Sequence, residues 1–481
     1  MRVLCAFPEA MPSSNSRPPA CLAPVALFLA LLLHLSLSSQ AGDRRPLPVD
    51  RAPGLKEKTL ILLDVSTKNP VRTVNENFLS LQLDPSIIHD GWLDFLSSKR
   101  LVTLARGLSP AFLRFGGKRT DFLQFQNLRN PAKSRGGPGP DYYLKNYEDE
   151  PNNYRTMHGR AVNGSQLGKD YIQLKSLLQP IRIYSRASLY GPNIGRPRKN
   201  VITLLDGFMK VAGNTVDAVT WQHCYIDGRV VKVMDFLKTR LLDTLSDQIR
   251  KIQKVVNTYT PGKKIWLEGV VTTSAGGTNN LSDSYAAGFL WLNTLGMLAN
   301  QGIDVVIRHS FFDHGYNHLV DQNFNPLPDY WLSLLYKRLI GPKVLAVHVA
   351  GLQRKPRPGR VIRDKLRIYA HCTNHHNHNY VRGSITLFII NLHRSRKKIK
   401  LAGTLRDKLV HQYLLQPYGQ EGLKSKSVQL NGQPLVMVDD GTPPRTEAPR
   451  PLRVGRTLVI PPVTMGFMWS RMSTALACRY R

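Results

Sequence analysis

Three clusters of basic side chains carry the spacing needed for anion recognition. Gly195-Arg-Pro-Arg-Lys199 brings Arg196, Arg198 and Lys199 together; Arg354, Lys355, Arg357 and Arg360 form a second group, extended by Arg363, Lys365 and Arg367; Arg394, Arg396, Lys397, Lys398 and Lys400 form a third. A guanidinium is a planar fork that meets sulfate or carboxylate through two parallel hydrogen bonds, so the Arg-rich groups suit such ligands. The first cluster falls where a strand is expected to turn into a helix, and the free N–H groups of a helix start also favour anions. The competing reading of each cluster is a solvated surface turn. His371-Cys-Thr-Asn-His-His-Asn-His378 has metal-ligand residue types. Its spacing fits no usual structural zinc pattern and Cys372 is wanted for a disulfide, so neither a metal nor another cofactor is expected.

The whole chain shares this bias. Its 481 residues hold 66 Lys and Arg against 33 Asp and Glu, a net charge of +33. Nucleic acid, an acidic membrane and a sulfated glycan would all be drawn to it. The compartment separates them. Arg2, the apolar run Val25–Leu33 and the small residues of Ser39-Gln-Ala41 read as a secretory signal peptide, residues 1–41. That run is shorter than the ~20 residues a membrane span needs, and no later stretch reaches that length. Secretion to the extracellular space removes nucleic acid as a partner and leaves a sulfated glycan of the matrix or cell surface. Asn163-Gly-Ser165 and Asn280-Leu-Ser282 are glycosylation sequons. Once Cys5 and Cys21 leave with the signal, Cys224, Cys372 and Cys478 remain. An oxidising compartment then implies one bridge, expected between Cys372 and Cys478, and one leftover thiol.

The elements that must position these groups come in two styles. Residues 42–77 read as a charged lead-in with one strand of the later domain. From Phe78 strands and helices alternate: strands at Phe78–Leu83, Ala111–Phe115, Ala187–Tyr190, Val216–Tyr225, Lys264–Gly269 and Val305–Phe312, with helices at 99–106, 165–178, 200–212, 231–257, 283–300 and 329–339. Repeated βα units imply a parallel sheet with helices outside, and their number points to a (β/α)8 barrel over 78–343. From 344 to 481 short strands divided by Gly, Pro and Asn, among them Leu366–Ala370, Ile385–Ile390, Gln412–Leu415, Val428–Leu430 and Thr457–Ile460, read as an antiparallel β-sandwich.

Several strings resemble the heparanase family. They are Ala105-Arg-Gly-Leu-Ser-Pro-Ala-Phe-Leu-Arg-Phe-Gly-Gly117, Asp121-Phe-Leu123, Ala286-Ala-Gly-Phe-Leu-Trp-Leu292, His318-Leu-Val-Asp321 and Pro326-Leu-Pro-Asp-Tyr-Trp-Leu-Ser-Leu-Leu335. The likeness spans nearly the whole mature chain, and in detail it is most similar to the family's catalytically inactive paralogous branch. The resemblance implies a barrel with a β-sandwich, heparan sulfate as substrate and a retaining endo-β-glucuronidase mechanism. For the inactive branch it implies glycan affinity without cleavage, and restraint of heparanase itself. It also matches Gly195–Lys199 to a heparin-binding stretch of the family.

A retaining glycosidase needs two carboxyl groups about 5–5.5 Å apart, one as acid/base and one as nucleophile. The family's acid/base stands in an Asn-Glu-Pro motif, which Glu150-Pro151 matches in part, with Asp149 replacing the asparagine. The lead-in Asn146-Tyr-Glu-Asp149 is too polar for a buried parallel strand. Two further βα units need roughly 60 residues, and the Gly/Pro-rich stretch from Lys118 to Asp149 is too short for them. The third strand and most of the fourth are therefore expected to be missing, as in an alternatively spliced or mis-assembled chain. Glu150 is then a degenerate acid/base position. The family's nucleophile follows Trp-Leu-Gly, whereas Glu268 in Trp266-Leu-Glu-Gly-Val270 comes one place early. A one-residue slip should turn it towards the helix layer or the wall, unless a local bulge restores it. The order Gly315-Tyr-Asn-His318 also exchanges a tyrosine that borders the substrate in the family.

Three readings follow: a secreted, glycan-binding pseudoenzyme with heparan sulfate proteoglycans and heparanase as partners; an active endo-β-glucuronidase; or a misfolded chain whose incomplete barrel exposes sheet edges.

Overall fold

The computed structural model describes residues 60–117 except 86 and 88–96, 162–350 except 313–314, and 365–479 except 377–379, 443–445 and 447–448. They belong to one compact unit, Thr59–Arg481.

Alternating strand and helix patterns fold into βα units. In chain order these are β1 (Leu79–Leu83), α1 (Lys99–Gly107), β2 (Leu113–Phe115), α2 (Gly164–Leu178), β3 (Tyr190–Ile194), α3 (Lys199–Ala212), β4 (Ala218–Ile226), α4 (Thr239–Tyr259), β5 (Lys264–Thr273), α5 (Ala287–Asn300), β6 (Val305–Arg308) and α6 (Pro328–Leu339). Local chemistry sets several helix starts. Ser98 accepts from Leu101 N at 3.2 Å, Asn163 accepts from Gln166 N at 2.8 Å, and Pro328 opens α6 where its missing N–H costs nothing.

The six strands form one sheet in the order β2-β1-β6-β5-β4-β3. Every pairing is parallel. The first strand is hydrogen-bonded to the last, β1 to β6. That is ring closure, the connection that distinguishes a barrel from an open doubly wound sheet. The ring is open between β2 and β3, and residues 118–161, which join their units in sequence, lie outside the described residues. Both open edges present apolar side chains to solvent: Leu113 and Phe115 at β2, Tyr190 at β3.

Several details depart from the sequence expectation, among them the strand anticipated at Val305–Phe312, which ends at Arg308. The strand anticipated at Ala187–Tyr190 forms later, at Tyr190–Ile194, because residues up to Ala187 are held in turns, with Ala187 N bonded to Tyr184 O. The long helix anticipated at 231–257 is divided. A 3-10 turn, Val233–Leu237, precedes α4, and the Asp235 side chain accepts from Lys232 N at 2.8 Å, closing the turn locally.

Two further sheets complete the unit. A four-stranded sheet takes Val347–Ala350, Leu60–Val65, Lys397–Leu401 and Leu458–Ile460 in that order, and a nine-stranded sheet includes Ile340–Leu345, Leu366–Thr373, Ile385–Asn391, Val410–Pro417 and Thr464–Ser470. Strand Ile385–Asn391 shows why the second sheet is buried on both faces. Leu387 and Ile389 join a cluster with Leu63, Ile399 and Ile460 of the four-stranded sheet. Phe388 and Ile390 point the other way, into the large cluster that also holds Leu292 and Leu295 of α5 and Leu335 of α6. Helix α5 is apolar around its whole circumference, as burial on all sides requires. Gly296 is obligatory there, since a Cβ would sit 2.5 Å from the Tyr369 ring. Arg367 of the nine-stranded sheet reaches Asp243 of α4 at 2.6 Å and Asn293 of α5 at 3.1 Å, a buried polar tie across the same boundary. Cys372 and Cys478 are bonded, as expected, and Cys224 is the free thiol among the described cysteines.

Candidate functional site

Glu268 lies in the middle of β5, whose side chains alternate between two environments. Ile265 and Leu267 join the large cluster under the helices. Trp266 belongs to a separate small cluster with Ala218, Val305 and Ile307. Its ring stacks between Phe112 at 5.3 Å and Tyr190 at 4.3 Å, residues at the two edges of the open sheet. Only the concave inner face of a curved sheet can bring those edges to one indole. Glu268, two residues on from Trp266, shares that face.

The expected turn of Glu268 towards the helix layer is therefore not what the fold does. The register of β5 against both neighbours shifts at this point, Glu268 pairing with Ile307 and Val270 with Arg308. Gly269 is the extra residue, with φ +82°, a conformation open to glycine. Glu268 faces inward by its two-residue spacing from Trp266; the bulge comes after it and returns Val270 to the layer that holds Leu267.

Around Glu268 the strands assemble a polar network. Arg114 of β2 places Nε 3.3 Å from Glu268 Oε2. Asn193 at the end of β3, with its amide turned to suit its neighbours, accepts from Arg114 Nη2 at 3.0 Å and from Gln222 Nε2 at 2.9 Å, and donates to the Glu268 carbonyl at 3.3 Å. Burial raises the Glu268 pKa, and the Arg114 charge pulls it back down. The Tyr171 hydroxyl of α2 feels the same groups: burial raises its pKa, Glu268 raises it further, and Arg114 opposes. The arrangement holds one carboxyl in low dielectric beside a guanidinium. Glu150, the other expected carboxyl, lies outside the described residues, so the fold brings no pair together among those it describes.

The first basic cluster adjoins this network. Arg196 follows Asn193 in the loop between β3 and α3; Arg198 caps α3 and Lys199 begins it, as the sequence implied. Arg196 lies close enough to the end of β4 to oppose protonation of His223, which burial already holds at about 3; His223 Nδ1 meets Gln248 Oε1 at 2.7 Å. Both Arg196 and Arg198 act on the Cys224 thiol, where burial outweighs them and raises its pKa. The cluster thus sits at the strand ends that open towards the helix starts, the face where barrels of this kind carry their chemistry.

Other expected residues fall elsewhere. Arg354, Lys355, Arg357 and Arg360 lie outside the described residues, as does His378. His371 is a buried histidine bonded to the Gly341 carbonyl at 2.9 Å. The exchanged pair behaves differently at its two positions. Tyr316 is exposed, whereas Asn317 is buried, accepting from Thr272 Oγ1 at 3.0 Å and donating to Thr273 O at 2.9 Å. Asn163 and Asn280 are both exposed. Sequence reasoning missed Arg114, Asn193, Gln222 and Tyr171. Arg114 stood inside a string already singled out, but nothing in a linear pattern reveals a partner on a strand far away in the chain.

No family model matches the chain. Human inactive heparanase-2 is 78% identical over 593 aligned positions that take in 100% of both chains. Since this chain has 481 residues, more than a hundred of those positions are filled by the human protein alone. Mouse heparanase is 37% identical over 514 positions, 86% of this chain and 94% of its own. Among solved structures, a 4-O-α-L-rhamnosyl-β-D-glucuronidase from Fusarium oxysporum shares the fold, with a TM-score of 0.60 at 11% identity over 85% of this chain and 99% of that one. The six-stranded sheet is accordingly a half-barrel of the TIM-type glycosidase architecture. With one relative of 78% identity matched along its full length and another of 37% matched along most of its own, the chain belongs to the heparanase family.

Proposed function

We propose that the chain is a secreted, heparan-sulfate-binding protein that does not cleave glycan. One observation carries this reading. Ring closure of β1 on β6, with no strand joining β2 to β3 among the described residues, supports a barrel that has kept its two ends and lost its middle. By the family resemblance the acid/base of a retaining mechanism belongs on that middle portion, and among the described residues Glu268 has a guanidinium rather than a second carboxyl beside it. The shortfall of more than a hundred positions against the human relative is of the size that such units would occupy. The relative's own name, inactive heparanase-2, points the same way.

In this reading Arg196, Arg198 and Lys199 hold sulfo and carboxyl groups at the open end of the half-barrel, with Arg354, Lys355, Arg357 and Arg360 as a second contact. Exposed Asn163 and Asn280 carry glycans. Asn163 can do so while capping α2, since the cap uses Oδ1 and a glycan uses Nδ2. The four- and nine-stranded sheets act as a β-sandwich domain. Heparanase is restrained because both proteins draw on the same glycan.

A second reading, a working endo-β-glucuronidase, is favoured by the inner-face position that Glu268 shares with Trp266. Incubation of the secreted protein with end-labelled heparan sulfate separates the two. No shortening of the glycan is expected. Cleavage that disappears in Glu268→Gln or Glu150→Gln would establish the enzyme instead. On heparin resin, Arg196→Ala with Arg198→Ala should elute at lower salt; an unchanged elution removes that site.

A further inference from the structure

A second basic site lies far along the chain from the half-barrel cluster. Two loops cross between the four- and nine-stranded sheets at the same end. One joins Lys397–Leu401 to Val410–Pro417, the other Arg450–Leu452 to Leu458–Ile460. Pairing of 410–412 with 450–452, and of 397–399 with 458–460, holds the loops side by side. Asp407 Oδ1 would lie 3.6 Å from a Cβ on Gly455, so the two loops are neighbours; both residues have positive φ, 57° and 76°.

Between the loops is a cavity of about 150 Å³. Leu401, Leu405, Val410, Leu452 and Leu458 supply its apolar lining, and Lys400, Arg406, Lys408, Arg453 and Arg456 its charged one, with Asp407 the single carboxylate. Among the described residues no ion pair engages any of these five cations. At roughly 30 Å³ per water, the space takes several waters, or one sulfo group with part of its sugar. Five like charges converging on one concavity raise the local concentration of anions, and three of them carry the guanidinium fork that grips tetrahedral oxyanions. Lys398 precedes Lys400 on the same strand, and Ile399 between them turns inward, so both lysines are on the outer face. Side chains two apart on a strand are about 6.6 Å from one another, and Arg396 and Arg394 extend the row beyond Lys398.

We propose that this cleft between the sheets is a second glycan-binding site, which seats a sulfo group of a linear sulfated oligosaccharide whose next residues run along Lys400 and Lys398. It deepens, and rests on, the reading of the chain as a sulfated-glycan binder. The chemistry recognised is a row of tetrahedral oxyanions along an extended chain, which polyphosphate shares, and the test separates the two sources.

Binding of a size-defined heparin octasaccharide is measured at 0.15 M salt for the secreted protein and for Arg453→Ser with Arg456→Ser. These two exposed loop residues have no packing role, so the thermal midpoint should not move. Loss of two charge-assisted contacts is expected to weaken binding on the order of tenfold. A further loss is expected when the change is combined with Arg196→Ala and Arg198→Ala. The same octasaccharide with its sulfo groups removed should not compete. If the wild type binds and the Arg453/Arg456 variant binds equally well, the cleft is refuted while glycan binding by the chain stands. If the wild type fails to bind the octasaccharide, both readings fall. Polyphosphate of matched length binding more tightly than the octasaccharide, and losing as much in the variant, would overturn the assignment to a sulfated glycan. The Arg406→Ser and Lys408→Ser pair provides an independent second variant, expected to weaken binding alike.

Discussion

Arg114 and Glu268 stand three strands apart in the sheet yet meet across its concave face, Nε to Oε2 at 3.3 Å. Neighbouring strands are about 4.8 Å apart, so only strong curvature lets these side chains touch. Their contact reports that the half-barrel formed by the described strands keeps the curvature of a closed ring.

Replacing Arg114 by Met should leave Glu268 buried without its counter-charge. The Glu268 pKa, already raised by burial, should then rise further. A carboxyl that holds its proton to higher pH when folded than when unfolded loses stability as pH climbs through that window. The variant should thus be destabilised at pH 7 by about 2 kcal/mol, below the range for fully buried pairs because Arg114 is partly exposed, and less so at pH 5. Adding Glu268→Gln should recover most of the loss. Urea unfolding at the two pH values measures this; equal losses at both would refute it.

Gly269 supplies the bulge, and the nearest atom to an added Cβ is 3.6 Å away. Space is therefore not the constraint. Gly269→Ala should cost about 1–2 kcal/mol, the backbone penalty of positive φ alone. A cost above ~4 kcal/mol would mean that a clash, not φ, governs the site.

Arg308 and Asp329 form an almost fully buried pair at 2.8 Å that ties β6 to α6, with the guanidinium 4.9 Å from the centre of the Trp291 ring. Asp329→Ala strands a buried charge and should cost about 3–5 kcal/mol. Arg308→Met with Asp329→Leu should cost clearly less. The comparison of denaturation midpoints is the test; a double variant as unstable as the single would contradict it.

Lys337 is buried, donates to the Pro110 carbonyl and has its pKa lowered by burial to about 7. The unfolded lysine keeps its proton to about 10.4. Between those values the unfolded chain binds more protons, so stability rises with pH across this window, and below pH 7 the cost of the buried charge is fully present. Lys337→Met should flatten the rise and stabilise most below pH 7. Melting temperatures of both proteins at pH 6.5, 8 and 9 would show it; parallel curves would rule it out.

The sequence by itself determined the alternation of βα units, the bridge between Cys372 and Cys478, the basic loop opening α3 and the family. These follow from local periodicity, residue type and motif strings, all of which are carried by neighbours in the chain. The spacing from Phe115 to Glu150 leads to the expectation that a stretch of barrel is missing, and that spacing lies outside the described residues. The sequence did not determine which way Glu268 faces. Which face Trp266 takes, and Glu268 with it, was visible only from the packing of Trp266 between the two sheet edges, and the bulge at Gly269 only from the pairing of β5 with both neighbours. Nor did it join Arg114 to Glu268, or Lys400 to Arg453 and Arg456, residues far apart in sequence. Register, curvature and loop crossings are settled by hydrogen bonding and packing between distant segments, and a linear pattern of residue types contains no term for them.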